Sequence, residues 1–582
     1  MRALLYVSVF LVACGDKEAD DSVDSASATD LDGDGFSTPV DCDDGDPAVN
    51  PLAVEVCDGV DQDCDSSVDE GVLIDIFADV DGDGFGDPAT ATQACGTTEG
   101  RVLDHTDCDD ADATVFPGAE EVCDDGVVND CDGTLEDAMA GCVRAGAYGL
   151  DDADAVLRGE GGSFSFSIAS AGDVNADGVG DVVVGAPHLA YTSAQQGAAF
   201  LFYGPISGEV QAADADARID GTAYEPELAT DVLGPGDLNG DGYDDLVVSA
   251  LHSRLTLNGG DVAGSVYVFH GPLSGVLGQG DADVELRLTT EHDHFGYFLG
   301  SGDLNGDGAV DLVGSAPWTA SLGGEALGVF YGPFPAASTE RQADLILRNN
   351  RTESLPGIAI AVGDLDGDGQ DDLATGVLSD AGTGGVEIVY GPLPTGQLDI
   401  TAADVSVFSA VPDVLGHAVV IAGDMDGDGY NDLAAGAHRS ATNGRASGGA
   451  WVLPGPLTAS GEVSALASGV VLGEASDDNA GEYLAAGGDT DGDGLSDLVV
   501  SARWADTTVV DGGRVYLVHG PVSGAASLGD ASLILSGEVA SATAGLDVAL
   551  GDLDGDPWPE LLIGSLGEDG AGAVHIFNGR GY

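Results

Sequence analysis

Gly363-Asp364-Leu365-Asp366-Gly367-Asp368-Gly369-Gln370-Asp371-Asp372-Leu373 is a run of carboxylates that opens straight into an apolar segment. Related runs begin at Asp173, Asp237, Asp303, Asp364, Asp424, Asp489 and Asp552, at successive spacings of 64, 66, 61, 60, 65 and 63 residues. A near-constant period of this size predicts a repeat architecture.

Positions one, three, five and nine of each run carry oxygen side chains. They are Asp173, Asn175, Asp177 and Asp181 in the first, Asp237, Asn239, Asp241 and Asp245 in the second, and Asp303, Asn305, Asp307 and Asp311 in the third. The fourth to sixth have Asp364, Asp366, Asp368 and Asp372; Asp424, Asp426, Asp428 and Asp432; and Asp489, Asp491, Asp493 and Asp497. The seventh has Asp552, Asp554, Asp556 and Glu560. Position six is Gly in six copies, which permits a sharp turn that sends the next carbonyl toward an ion. The pattern is half of an EF-hand loop without its position-twelve Glu, so ligation ends at position nine. Oxygen-only ligands predict calcium in preference to magnesium or transition metals. Turn chemistry alone explains Asp and Gly but not four oxygen positions repeated seven times. Pro557 and Pro559 stiffen the seventh copy, making its site the weakest.

Around each run the grammar is constant. In the fifth repeat Gly416–Ala422 leads into the carboxylates, Leu433–His438 follows, and Gly449–Pro456 closes the unit. Short apolar runs bounded by Gly, Asn, Asp and Pro predict strands, and no repeat has helical periodicity. A further run lies in each interval (217–219, 284–288, 345–347, 405–408, 470–472 and 533–535). Four strands, A to D, in about 60 residues match a propeller blade. The chain stops after a C strand, Gly572–Phe577, while a spare D-like strand, Ala153–Arg158, precedes the first A strand. The expectation is an all-β, seven-bladed propeller closed by that N-terminal strand, which removes its open edges.

His294-Phe295-Gly296, Gly185-Ala186-Pro187 and Ser315-Ala316-Pro317, with the seven-fold count and the loop, resemble the FG-GAP repeats of the integrin alpha-subunit propeller over about residues 151–582. Gly436-Ala437-His438, Ser501-Ala502-Arg503 and Gly564-Ser565-Leu566 are variants of the second motif.

Formal net charge is −87, from 103 acidic and 16 basic residues, and Lys17 is the only lysine. Nucleic acid is excluded as a partner, because binding a polyanion needs clustered Lys and Arg. Carboxylates at fixed offsets instead ask for cations, which remove their mutual repulsion.

Residues 1–13, with Arg2, an apolar run and Leu11-Val12-Ala13 before Cys14, resemble a bacterial lipoprotein signal peptide. The resemblance implies lipidation at Cys14 and a membrane anchor without a spanning segment. Gly15 favours the outer membrane or cell surface over the inner membrane, with Asp16 as the opposing feature. Residues 14–29 then read as the lipidated cysteine and a flexible acidic tether.

The remaining eight cysteines lie between Cys42 and Cys142 and predict disulfides, with on the order of 100 possible pairings. A four-thiolate zinc site is disfavoured by the absence of paired C-x-x-C. Two modules, 30–76 and 77–143, repeat an acidic loop (Asp30, Asp32, Asp34; Asp79, Asp81, Asp83, Asp87), then Asp-Cys-Asp-Asp, Glu-Val-Cys-Asp and Asp-Cys-Asp. They resemble a bacterial surface metal-binding motif and, more loosely, thrombospondin type 3 repeats, which implies calcium-laden, disulfide-stapled spacers. The first module lacks an equivalent of Cys95, for which Cys142 is the available replacement, and has Thr38 where Asp87 stands. Residues 144–582 form the propeller region.

With ions on the A–B loops, the B–C and D–A loops define the other rim. His188, His252, Trp318, Arg439 and Trp504 open B–C loops, and Tyr224, His292, Arg351 and Tyr483 stand on D–A loops. Aromatics and Arg on loops suit a binding surface for a protein or glycan, while scattered rim residues without a common ligand are the bland alternative. No G-x-S-x-G, H-E-x-x-H or phosphate loop is present, so adhesion or ligand binding is expected ahead of an enzyme. The alternatives are a metal-sequestering surface protein and, third, an extracytoplasmic enzyme on the propeller rim.

Overall fold

The computed structural model describes residues 29–98, 100–117, 119, 128–129, 131, 146–190, 196–222, 227–254, 262–288, 294–317, 326–335, 339–348, 354–379, 382–556, 558–567 and 570–579. The lipoprotein signal and Cys14 lie outside them. The chain forms two compact units, residues 1–120 with 127–135, and residues 121–126 with 136–582. No helix among the described residues is long and apolar enough to cross a membrane.

In the second unit the residues after each carboxylate run are small or branched and mostly apolar, and they form strands buried over at least their first five positions. In blade 1, strand A is Ser167–Gly172, B is Asp181–Ala186, C is Ala198–Phe202 and D is Ala217–Asp220. B and C are fully buried because each blade is covered on both faces by its neighbours, whereas D alternates. The antiparallel order A-B-C-D recurs in seven sheets, whose later A strands are Leu228–Gly236, Leu299–Gly302, Ser354–Gly363, Val419–Gly423, Leu484–Gly488 and Val548–Gly551.

Each sheet also has a fifth strand that the four-strand reading lacks. Gly275–Gly278, from the C–D linker of blade 2, lies parallel on strand D of blade 1, and the same exchange recurs around the ring. These strands are short and mostly exposed, so they carry no apolar alternation to read.

Ring closure follows the expected route. Ala155–Arg158 pairs antiparallel with Ala573–Phe577 and becomes strand D of blade 7. A second N-terminal strand, Gly146–Gly149, adds in parallel to Leu533–Ser536 of blade 6. Seven apolar clusters fill the seams between adjacent blades. The last joins Phe164, Val184 and Phe200 of blade 1 to Leu562, Val574 and Ile576 of blade 7, so the propeller is closed. Burying each such large side chain contributes roughly 2 kcal/mol.

The first unit has little apolar core among its described residues: Val49, Ile76, Phe77 and Val115 are buried, while Leu31, Leu52, Val54 and Val80 are exposed. Among its described residues the sheet is Ile74–Ala78 between Thr92–Ala94 and Arg101–Val102. Disulfides Cys42–Cys64, Cys57–Cys95 and Cys108–Cys131 staple it. Cys57–Cys95 joins the two modules, so the partner of Cys57 comes from the second copy; Cys123 and Cys142 lie outside the described residues.

Candidate functional site

The A–B loops share one hydrogen-bond scheme. The position-one carboxylate accepts the amide of position six: Gly178 donates to Asp173 (2.7 Å), Gly242 to Asp237 (2.8 Å), Gly308 to Asp303 (2.8 Å), and Gly369, Gly429 and Gly494 to Asp364, Asp424 and Asp489 (each 2.9 Å). Position six needs the left-handed region, with φ of 91° at Gly178 and 87° at Gly369, which a side chain would strain. Position five accepts from position seven in all seven loops, as in Tyr243 to Asp241 (3.1 Å) and Trp558 to Asp556 (2.8 Å). These bonds fold positions one to seven into one tight turn that carries the oxygen side chains of positions one, three and five.

Position nine differs. Asp181, Asp245, Asp311, Asp372, Asp432, Asp497 and Glu560 are buried at the start of strand B. Asp372 Oδ2 accepts the amide of Leu365 in its own loop (2.9 Å), and its Oδ1 accepts that of Gly391 at the end of strand C (2.8 Å). The same double anchor occurs at Asp181 with Val174 and Gly204, and at Asp432 with Met425 and Gly455. It places the A–B and C–D loops on one face. Burial pushes Asp181, Asp245, Asp311, Asp372 and Asp432 up to about 6 and Glu560 up to about 7, against the pull of the two amides. Asp497 shifts the same way, again through burial.

The donor set is all oxygen, which fits a hard divalent cation. In the second loop Asn239 Oδ1 is buried without a protein partner, an acceptor left for such an ion. The sixth loop departs from the rest, because His519 Nδ1 stands 3.0 Å from Asp491 Oδ2. The seventh keeps the Gly555 to Asp552 bond (2.7 Å), while Pro557 lies outside the described residues and has no N–H to give.

In the first unit both acidic loops repeat this turn. Asp30 accepts from Gly33 (2.6 Å) and Asp79 from Gly82 (2.7 Å), while Asp34 and Asp83 accept from Phe36 and Phe85 (each 2.8 Å). Asp87 caps the turn Pro88–Thr90 by accepting from Ala89 (2.7 Å).

On the opposite face, His188 N–H donates to Gly162 O (3.0 Å), joining a B–C loop to a D–A loop. Trp504 and Tyr483 come together around Arg503, a residue that the rim reading passed over. The Arg503 guanidinium lies 5.0 Å from the Trp504 ring and 5.7 Å from the Tyr483 ring, and it is paired with Glu482 at 2.6 Å. His417 and His438 pack edge-to-face beside it at 4.4 Å, with His438 pushed down to about 3 by burial. Arg439 N–H donates to Asp413 O (3.1 Å). His252 stands in strand Asp245–Arg254, while Tyr224, His292, Trp318 and Arg351 lie outside the described residues.

With this geometry established, comparison with known families is direct. The FG-GAP repeat matches residues 165–202, 230–269, 415–453 and 483–518. Blades 1, 2, 5 and 6 match the FG-GAP repeat. Three of the matched stretches begin just before strand A and the one at 230 begins within it, and all four run through strand C, so the carboxylate loop is internal to each match. In the first unit, the family described as "Putative metal-binding motif" matches residues 41–70 and 107–137. Integrin alpha-PS5 of Drosophila melanogaster is 30% identical over 185 residues, 31% of this chain and 16% of its own length. Integrin alpha pat-2 of Caenorhabditis elegans is 28% identical over 235 residues, 36% of this chain and 18% of its own. Phosphatidylinositol-glycan-specific phospholipase D of Mus musculus is 33% identical over 158 residues, 26% of this chain and 18% of its own. The chain thus spans less than a fifth of the length of these relatives.

Proposed function

We propose that this chain is an extracytoplasmic binding protein, anchored through lipid on Cys14 at the outer membrane or cell surface. Its calcium-loaded FG-GAP propeller presents the D–A and B–C face to a protein or glycan ligand, and residues 30–143 act as a metal-binding, disulfide-stapled spacer. The observation that carries this is the division of labour between faces. Oxygen ligands fill the A–B loops, while the Tyr483–Arg503–Trp504 cluster stands on the other rim, where aromatic and Arg side chains supply contact area. The integrin alpha relatives support a protein ligand and a non-enzymatic role.

Each ion acts as a clasp. It offsets the repulsion of three or four carboxylates within one turn and holds the A–B hairpin, at affinities of about 10⁻⁴ to 10⁻³ M for such extracellular sites. The test is a glycan and protein array probed with the calcium-loaded chain and with Trp504→Ala. A ligand bound by the first and lost by the second supports the reading, and equal binding by both moves the site elsewhere.

A second reading, metal sequestration, is favoured by the metal-binding family match in the first unit. Equilibrium dialysis separates the two. Calcium filling at about millimolar concentration supports structural sites, and tight copper or iron uptake supports sequestration.

A further inference from the structure

The strongest unexplained feature outside the propeller is a set of buried carboxylate oxygens without partners in the first unit. They occur at equivalent places in its two halves: Oδ2 of Asp32, Asp34 and Asp41, and Oδ2 of Asp81, Asp83 and Asp107. Asp41 is 2% exposed and Asp107 5% exposed. An isolated buried carboxylate is costly, and an orphaned buried oxygen calls for an ion or water.

The surroundings match residue for residue. Asp41 and Asp107 each use Oδ1 to accept the amide two residues on, from Asp43 and Asp109 (each 2.9 Å). Their other oxygens are left over. Asp44 accepts the Leu31 amide (3.0 Å) and Asp110 the Val80 amide (2.8 Å), so each Asp-Cys-Asp-Asp segment is held against its acidic loop. Ligand atoms of Asp30, Asp32 and Asp34 lie within 4.8 Å of one another, as do those of Asp32, Asp41 and Asp44.

We propose that each half of the first unit holds a calcium-type cation in a composite site: Asp30, Asp32, Asp34, Asp41 and Asp44 in one, and Asp79, Asp81, Asp83, Asp107 and Asp110 in the other. The matched metal-binding motif begins at Asp41 and Asp107, so half of each site lies upstream of it. Asp41 and Asp107 are the closing ligands; Asp41 stands at position twelve counted from Asp30, the closing place of an EF-hand-like loop, whereas Asp107 lies far beyond that spacing from Asp79. Each ion ties its loop to the segment carrying Cys42 or Cys108, and the disulfides to Cys64 and Cys131 extend the tie. The proposal rests on the reading of this unit as cation-binding and is independent of the propeller loops.

The test counts calcium bound to the full chain at equilibrium, by dialysis against calcium alone at several times about 10⁻³ M, the weak end of such sites. Asp41→Asn with Asp107→Asn should hold two fewer ions than the wild type, and each single variant one fewer, with propeller occupancy retained. An unchanged count in the double variant overturns the proposal. A second measurement uses the wild type only: calcium should slow protease cleavage within 30–44 and 79–110 at least tenfold. Equal cleavage with and without calcium also overturns it. A propeller that fails to bind calcium would appear in the total count and leave the two-ion difference intact.

Discussion

The Asp244 carboxylate accepts the backbone amide of Asp173 at 2.7 Å, linking position eight of one A–B loop to position one of the loop in the preceding blade. Asp371 does the same for Asp303, also at 2.7 Å. In the next blades Asn431 Nδ2 donates to Asp364 O (3.0 Å) and Ser496 N–H to Asp424 O (2.9 Å). At these four seams an A–B loop is thus tied to the first residue of its neighbour's loop.

Asp244→Ala leaves the Asp173 amide without its acceptor. The expected cost is about 1–2 kcal/mol, read as a lower urea midpoint at unchanged m-value. An unaltered midpoint would show that the inter-loop bond contributes nothing.

Positions five and nine should respond differently to neutralisation. Asp368→Asn removes a charge from an exposed cradle position and should lower calcium affinity with little effect on metal-free stability. Asp372→Asn loses one of two buried acceptors and should cost roughly 1–3 kcal/mol even without metal. Denaturant titrations of both variants in EDTA and in calcium distinguish them, and equal metal-free stability would contradict the anchoring role of position nine.

Stability should fall as pH rises, because of two partly buried carboxyls away from the loops, Asp231 and Asp547. Burial pushes Asp231 up to about 7 and Asp547 up to about 8. The folded chain holds these protons more tightly than the unfolded one, whose aspartates titrate near about 4. Their stabilising effect is complete below that value and is lost as pH rises through the folded values. The melting temperature should therefore drop between about pH 4 and 8, the bounds set by the unfolded and folded values, and Asp547→Asn should flatten the drop. A wild-type profile that is flat or rising across that window would refute this.

How far the chain can be read in advance depends on whether a feature leaves a pattern. Carboxylates at fixed offsets and the lone strand Ala155–Arg158 are periodic or positional, so loops, blade count and closure were legible. The fifth strands were not, since Gly208–Gln211 is nearly all exposed and unpatterned. Arg503 was illegible for another reason: one arginine gains meaning only when folding brings Glu482, Tyr483 and Trp504 to it. The Cys57–Cys95 pairing and the burial of Asp41 and Asp107 likewise exist only in three dimensions.

Arg503→Ala would strand the Glu482 carboxylate, whose side chain is only 11% exposed. A loss of about 2–3 kcal/mol is expected, with a change in Trp504 fluorescence as its cation neighbour disappears. Arg503→Lys should recover part of the stability but not the stacked geometry. Full stability of Arg503→Ala would mean that the pair is incidental.

The central claim is that cations hold the blade hairpins together. The direct measurement is thermal unfolding of the protein in about 10 mM calcium and in excess EDTA, where each occupied site should add roughly 2 kcal/mol. The account predicts a melting temperature lower in EDTA by on the order of ten degrees or more; superimposable curves would contradict it.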